Sequence, residues 1–200
     1  FVVERGAKGL EQSKPLKKMG LHSSPTGEIF LDDVFVPNDQ LLGETESVSY
    51  RTGAKDTFTA ERTGVAAMAL GIIERCLALS LEHARTRVQF GRPIGEFQLV
   101  QLKIAKMEVA RMNVQNLVFR TIELASAGRA MTLAEASAMK LYCAGAAVEV
   151  ALEAVQLFGG NGYMAEFHVE QLARDAKLLQ IYGGTDEIQV SQIARSLLGG

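Results

Sequence analysis

Apolar side chains recur with a helical period over most of this 200-residue chain, and that period restricts the possible folds more than any other feature. From about Asp56 to about Arg87 they follow the i, i+3, i+4 rule. A second pattern covers 98–127 and a third opens at Thr132, each roughly 25 to 30 residues long. Helices of that length joined by short loops favour antiparallel neighbours. The sequence therefore predicts a mainly α fold, an up-down helical bundle.

The ends of the predicted helices carry start and stop signals. Gly128 follows the second helix in the C′ position that glycine favours, and residues 132–135 (TLAE) have the spacing of a capping box. The third helix is rich in alanine and is predicted to stop in the glycine-dense segment 158–162 (FGGNG). Two shorter helices are predicted after it, from about Glu166 to Leu179 and from about Asp186 to Leu198.

The first 50 residues have strand signals instead. Residues 27–31 (GEIFL) and 34–36 (VFV) are short β-prone runs bounded by turn residues. They predict a strand, a bend and a second strand at the edge of an antiparallel sheet. Residues 45–55, which contain two serines and a glycine, are predicted to form a surface connection. We therefore expect two parts, a small β part over 1–50 and the helical bundle over 51–200.

Charge, hydropathy and cysteine content disfavour several classes of protein. The chain has 21 basic and 23 acidic residues and no basic block, so we expect no nucleic-acid partner. No uninterrupted apolar run has the length of a membrane span, so none is predicted. Cys76 and Cys143 lie within helical patterns and are predicted to be buried free thiols in a reducing compartment. His22, His83 and His168 lack the spacing of metal ligands, so no metal is predicted.

Residues 174–189 (RDAKLLQIYGGTDEIQ) are predicted to form the end of one helix, a glycine turn and the start of the next. On spacing alone, this is a tight interhelical turn. The segment also resembles the C-terminal motif of the acyl-CoA dehydrogenases, flavoenzymes that desaturate acyl-CoA thioesters. In many members the residue after the tyrosine is the glutamate that removes the α-proton, whereas here it is Gly183. The resemblance therefore implies that another carboxylate is the base.

Glu61 is the candidate for that base. It lies at the start of the first long helix, where interaction with the helix dipole or with Arg62 also explains it. In the isovaleryl-CoA and long-chain acyl-CoA dehydrogenases, whose turn likewise lacks the glutamate, the base comes from this helix, one residue before an arginine. The Glu61-Arg62 pair matches that pattern, so the resemblance implies that Glu61 is catalytic. It also implies that Arg62, Tyr182, Gly183 and Gly184 lie near the substrate.

Two further segments resemble cofactor-binding motifs of the same family. Residues 87–98 (RVQFGRPIGEFQ) match R-x-x-F-G-x-x-I-x-x-x-Q, and residues 156–163 (QLFGGNGY) match Q-x-x-G-G-x-G-Y/F. Arginine can neutralise a diphosphate, and glycines let backbone amides approach it. An interhelical loop and a Schellman-type helix end also explain these residues. The resemblance implies FAD as the cofactor, with the following contacts: Arg87, Gln89, Phe90, Phe97, Gln98, Gln156, Phe158, Gly159, Gly160, Thr185 and Glu187.

The resemblance extends over essentially all 200 residues, but it corresponds to only about the second half of the family's chain. Residues 1–50 resemble the end of the middle β-domain, with His22 where arginine is common, and 51–200 resemble the C-terminal helical domain. In the family, the glycine-rich turn meets the ADP part of FAD bound by a neighbouring subunit, which implies a homodimer or homotetramer. We expect this chain alone to be inactive, because segments that cradle the flavin precede it in the family.

The implied reaction is α,β-dehydrogenation of an acyl-CoA thioester, with electrons passed to electron-transfer flavoprotein. It belongs to fatty acid or branched-chain amino acid catabolism, in the bacterial cytoplasm or the mitochondrial matrix. Two alternatives stay open on the sequence. One is an acyl-CoA oxidase that reduces oxygen, and the other is a non-catalytic helical assembly subunit.

Overall fold

The computed structural model describes residues 1–43 and 50–199, and for 50–56 it describes the backbone only. The chain divides into two compact units, Phe1–Ala54 and Lys55–Gly200. The helices account for most of the described residues, so the predicted mainly α fold is confirmed.

The first unit contains a small antiparallel sheet of β1 (Leu10–Gln12) and β2 (Ile29–Leu31), with Leu10 opposite Leu31. Strand β2 lies within the predicted run 27–31. The predicted strand at 34–36 is wrong, because Asp33 has φ +50 and the chain turns away from the sheet there. Strand β1 was not predicted, since Leu-Glu-Gln contains neither β-branched nor aromatic residues.

Helix α1 (Tyr50–Thr86) begins six residues before the predicted start at Asp56. The predicted surface connection at 45–55 is therefore wrong for 50–55, and its residues 45–49 lie outside the described residues. A glycine inside a helix costs only about 1 kcal/mol, and lengthening an existing helix avoids the cost of nucleation. Gly53 consequently does not stop the helix.

The other helices follow the predicted order closely. Their bounds are α2 (Gln98–Ser126), α3 (Leu133–Phe158), α4 (Val169–Leu178) and α5 (Asp186–Leu198). Between α1 and α2, a short hairpin pairs β3 (Val88–Gln89) with β4 (Arg92–Pro93). Helix α4 starts three residues later than predicted, because 3₁₀ turns at 159–163 and 165–167 occupy the end of the glycine-dense segment.

Helix α3 lies at the centre of the bundle and packs against α2, α4 and α5. Its core face is made largely of small residues, which let neighbouring backbones approach closely: Ala136, Cys143, Ala144, Ala147, Ala151 and Ala154. Cys76 and Cys143 are buried free thiols, as predicted, and burial raises the pKa of each to about 12. By length and hydropathy alone, 57–86 and 133–163 could cross a membrane, but both stretches contribute to this core.

A capping box begins α3, as predicted. The Glu135 amide donates to Thr132 Oγ1 at 3.2 Å, and the Thr132 amide donates to Glu135 Oε2 at 2.8 Å. These two bonds satisfy backbone donors that the first turn of a helix leaves without partners. The preceding helix ends in a Schellman motif, in which Gly128 has φ +66 and the Arg129 amide donates to the Leu124 carbonyl at 2.9 Å.

Replacing the cap should weaken the bundle measurably. Thr132→Ala removes the acceptor for the Glu135 amide, and we expect a loss of about 1 kcal/mol in the free energy of unfolding. Thr132→Ser keeps a hydroxyl and should stay within a few tenths of a kcal/mol of the wild type. Urea unfolding of the full-length protein measures both. Equal losses in the two variants would show that the hydroxyl contributes nothing.

Candidate active site

Glu61 on α1 lies directly beside the glycine turn between α4 and α5. A Cβ placed on Gly183 would lie 3.6 Å from both Cδ and Oε1 of Glu61. Gly183 and Gly184 have φ +63 and +90, a backbone region that residues with a Cβ rarely adopt. The structure thus brings the carboxylate of Glu61 within van der Waals distance of the Cβ position of residue 183, the residue after Tyr182 in the turn.

Two buried side chains hold the carbonyl groups of this turn. Gln189 Nε2 donates to the carbonyls of Gly183 at 3.0 Å and Gly184 at 2.7 Å. Lys140 Nζ donates to the Gly184 carbonyl at 2.9 Å and pairs with Asp186 Oδ1 at 3.3 Å. Neither was predicted from the sequence. The available signal was a single lysine within the apolar, alanine-rich stretch that became α3.

Arg62 is buried, with 5% of its surface exposed. Its Nη1 donates to Ser137 Oγ on α3 at 2.9 Å, and its Nη2 would lie 3.7 Å from a Cβ on Gly184. Burial lowers the pKa of Arg62, and the adjacent charge of Glu61 partly offsets that effect. Arg62 therefore contacts α3 and the turn, near the position predicted for the substrate.

Tyr182 completes this end of the site. Its hydroxyl donates to Met68 Sδ at 3.0 Å. Burial raises the pKa of Tyr182, and the negative charge of Glu61 raises it further, so the phenol is neutral at physiological pH. The arrangement is a carboxylate next to a neutral phenol and beside a glycine that has no side chain of its own. Such a carboxylate can accept a proton from a carbon acid held within hydrogen-bond reach of it.

A second site lies where the β3–β4 hairpin meets the C-terminal end of α3. A cavity of about 330 Å³ is lined by His83, Arg87, Gln89, Ile94, Leu157, Phe158, Gly159, Gly160 and Asn161. Its volume is at the low end for small-molecule pockets. Arg87 is exposed, and side chains placed on Gly159 and Gly160 would meet nothing within 4 Å, whereas the Gly159 amide already donates to the Gln156 carbonyl. A cation beside two glycines that have open space in place of side chains fits a diphosphate group.

The cavity includes five of the predicted cofactor residues and omits six. Phe90 is 91% exposed at the hairpin tip and packs edge-on against Phe97, while Gln98 and Gln156 are exposed on α2 and α3. Thr185 is the N-cap of α5, and Glu187 lies in its first turn, where hydrogen bonds lower the pKa of Glu187. Across the described part of the chain, no three His, Cys, Asp or Glu side chains form a metal-binding group.

His83 belongs to the cavity and was not predicted to have a role. Its ring stacks on Phe158 with centroids 4.0 Å apart and an interplanar angle of 11°. Burial lowers the pKa of His83, and the positive charge of Arg87 lowers it further. The folded protein therefore favours the neutral ring, and no spacing pattern in the sequence indicated this contact.

The lowered pKa of His83 predicts that the folded protein loses stability as the pH falls. Because folding lowers the pKa of His83, the unfolded state binds the proton first as the pH falls below about 6.5. We expect the thermal midpoint of the full-length protein to fall between about pH 7 and 5.5, and to fall less in His83→Gln. His168→Asn, at an exposed position, is the matched control and should follow the wild type. Parallel curves for wild type and His83→Gln would contradict the assignment.

Residues 52–198 match the family model of the acyl-CoA dehydrogenase C-terminal domain, and the chain belongs to the acyl-CoA dehydrogenase family. An acyl-CoA dehydrogenase of Bacillus subtilis (strain 168) is 42% identical over 200 residues, which are 100% of this chain and 52% of that protein. The resemblance found in the sequence is thereby confirmed.

Solved structures agree with that assignment. Butyryl-CoA dehydrogenase from Megasphaera elsdenii superposes with a TM-score of 0.91 at 39% identity, covering 99% of this chain and 51% of that one. The prolyl acyl carrier protein oxidase AnaB gives a TM-score of 0.90 at 34% identity, covering 98% and 51%. The chain thus spans about half the length of the relatives it matches.

Proposed function

We propose that the protein containing this chain is an FAD-dependent acyl-CoA dehydrogenase in which Glu61 is the catalytic base. The observation that carries this proposal is the 3.6 Å approach between the Glu61 carboxyl group and the Cβ position of Gly183. This approach supports the proposal because position 183 is where the family motif otherwise has its catalytic glutamate. Family membership supports the reaction class.

Glu61 removes the proton from the α-carbon of the thioester. Gly183 places no side chain between the turn and that carboxylate. Tyr182 presents a neutral phenol and Arg62 a guanidinium near the same turn. The flavin, when bound, supplies the acceptor for the hydride that leaves the β-carbon. Loss of one proton and one hydride gives the α,β-unsaturated thioester.

Arg87, Gln89, Phe158, Gly159 and Gly160 form the diphosphate end of the cofactor site. Their convergence on one cavity supports this role, because the two motifs that contain them are about 70 positions apart in sequence. Arg87 neutralises phosphate charge, and the two glycines let phosphate oxygens approach the backbone without a Cβ in the way.

Phe90, Phe97, Gln98 and Gln156 lie outside this cavity and remain proposed contacts. In a homodimer or homotetramer, the glycine-rich turn that begins at Gln156 would meet the ADP part of a neighbouring subunit's FAD. Thr185 and Glu187 remain proposed contacts near the flavin. Residues 1–50 and 51–200 remain the proposed end of the β-domain and the helical domain.

Electron-transfer flavoprotein is the proposed acceptor of the electrons, in the bacterial cytoplasm or mitochondrial matrix. The similarity to a prolyl acyl carrier protein oxidase gives the oxidase alternative a specific basis. Branched-chain and long-chain acyl-CoAs are the proposed substrates, because a base on α1 and a glycine on the turn resemble those members of the family.

Titration of the full-length protein with a panel of acyl-CoAs tests the proposal. We expect the flavin absorbance to bleach under anaerobic conditions, most completely with the preferred chain. A spectrum without flavin, or one that no acyl-CoA bleaches, would contradict dehydrogenation. Turnover with an artificial acceptor, compared with and without oxygen, separates the dehydrogenase from the oxidase.

A further inference from the structure

Lys140 is a charged side chain with no exposed area on the core face of α3. Burying an ammonium group is costly unless its hydrogen bonds are made inside the protein. Burial lowers the pKa of Lys140, and Asp186 opposes that shift. An apolar side chain such as methionine could fill similar space without this cost. The contacts of the ammonium group with Gly184 and Asp186 therefore call for an explanation beyond packing.

Gly183 and Gly184 have no side chains with which to fix their place in the bundle, and the Tyr182 hydroxyl of the same turn reaches Met68 on α1 rather than α3. Gln189 donates hydrogen bonds to both glycine carbonyls. Because Gln189 belongs to α5, the helix that directly follows the turn, these bonds shape the turn but do not fix its position relative to other helices. Among the hydrogen bonds of the described residues, Lys140 makes the one that reaches a glycine carbonyl of the turn from another helix. It consequently sets the position of the turn relative to α3.

Helix α3 also contacts α1 next to the proposed base. Ser137 lies one turn before Lys140 on α3, and its hydroxyl accepts a hydrogen bond from Arg62, the residue next to Glu61. Ser137 is itself held by a bond to the Leu133 carbonyl at 2.6 Å. One turn of α3 thus contacts both Arg62, which adjoins Glu61 on α1, and the glycine turn beside Glu61.

We propose that Lys140 is a positioning residue, which fixes the Tyr182–Thr185 turn against Glu61 so that a substrate bound at the turn meets the carboxylate. The proposal rests on the proposed function, since it takes Glu61 as the base. A displacement of about 1 Å at a reacting centre costs about 100-fold in rate. Loss of the Lys140 contact should therefore slow proton abstraction while leaving binding intact.

The test uses Lys140→Met in the full-length, flavin-loaded protein. We expect kcat to fall about 100-fold and KM for the acyl-CoA to stay within about threefold. Exchange of the α-proton with deuterated solvent, measured on a substrate analogue that cannot be oxidised, should fall in parallel. Flavin content should match that of the wild type.

Met139→Ala is the matched control. Met139 is the adjacent core residue, with 3% exposure, and its sulfur accepts a hydrogen bond from Thr121 rather than from the turn. It should lower thermal stability through the cavity it leaves, yet keep kcat within about threefold. If the kcat of Lys140→Met falls no further than that of Met139→Ala, the role of Lys140 is structural and the proposal is overturned.

Failure of the two proposals can be told apart. If Glu61→Gln retains activity, the base assignment fails whatever the Lys140 variant does. If Glu61→Gln is inactive and Lys140→Met is not impaired, only the positioning role fails. Should Lys140→Met not fold, Lys140→Gln takes its place under the same criteria, and a second failure to fold would show that Lys140 determines the fold, which also overturns the proposal.

Discussion

Glu61→Gln is expected to reduce the dehydrogenation rate of the full-length protein by about 1,000-fold. The amide keeps the shape of the side chain but cannot accept the α-proton, and a positioned base contributes about 100- to 10,000-fold to a proton transfer. Stopped-flow reduction of the flavin by an acyl-CoA measures the effect directly. Flavin content and thermal midpoint should stay at the wild-type values, because Glu61 is exposed and lies outside the core.

Glu74→Gln is the matched control for that result. Glu74 is an exposed carboxylate on the same helix, and it does not contact the glycine turn. Its replacement removes one negative charge from α1 and should leave the rate within about threefold of the wild type. If Glu61→Gln retains desaturation within a few-fold of the wild type, Glu61 is not the base and the proposed mechanism is wrong.

Gly162→Ala is expected to cost about 3 kcal/mol or more in the free energy of unfolding. A Cβ at this buried position would lie 2.3 Å from the Val155 carbonyl oxygen and 2.9 Å from Phe158 Cβ. The first of these is backbone within α3, so a small side-chain movement cannot relieve the clash. Denaturant unfolding of the full-length protein, monitored by circular dichroism, measures the loss.

Gly160→Ala provides the comparison two positions earlier. A Cβ there meets nothing within 4 Å, and the position is exposed. We expect its unfolding free energy to change by less than about 1 kcal/mol in either direction. Similar losses at the two positions would mean that the segment as a whole, rather than contact at Gly162, requires glycine.

Much of the helical domain is predictable because its signals are local. The capping box at Thr132, the C′ glycine at 128 and the last helix from Asp186 to Leu198 each depend on residues a few positions apart. The β part is less predictable, because β2 pairs with β1 across a long loop and Leu-Glu-Gln has no intrinsic strand preference. The early start of α1 was missed for a related reason, since glycine weakens a helix without forbidding it.

The candidate site likewise combines residues that sequence motifs indicate with residues that only the fold brings together. Resemblance to the motif drew attention to Glu61 and to the turn, but their approach depends on how α1 packs beside the loop before α5. Lys140, Ser137 and Gln189 hold that arrangement from positions that no motif marks. The sequence motif also does not distinguish its glycines from one another. In the structure, Gly159 and Gly160 line a cavity, whereas Gly162 packs against α3. Only the three-dimensional contacts distinguish the glycines that line the cavity from the glycine that packs against α3.

The two cysteine thiols of this chain are unreactive while the helical bundle is folded. Cys76 and Cys143 are fully buried and have pKa values of about 12, so almost no nucleophilic thiolate is present near neutral pH. An alkylating reagent can reach them only when the helices separate. Their labelling rate therefore reports how often the core opens, and it does so from inside the two helices that carry Glu61 and Lys140.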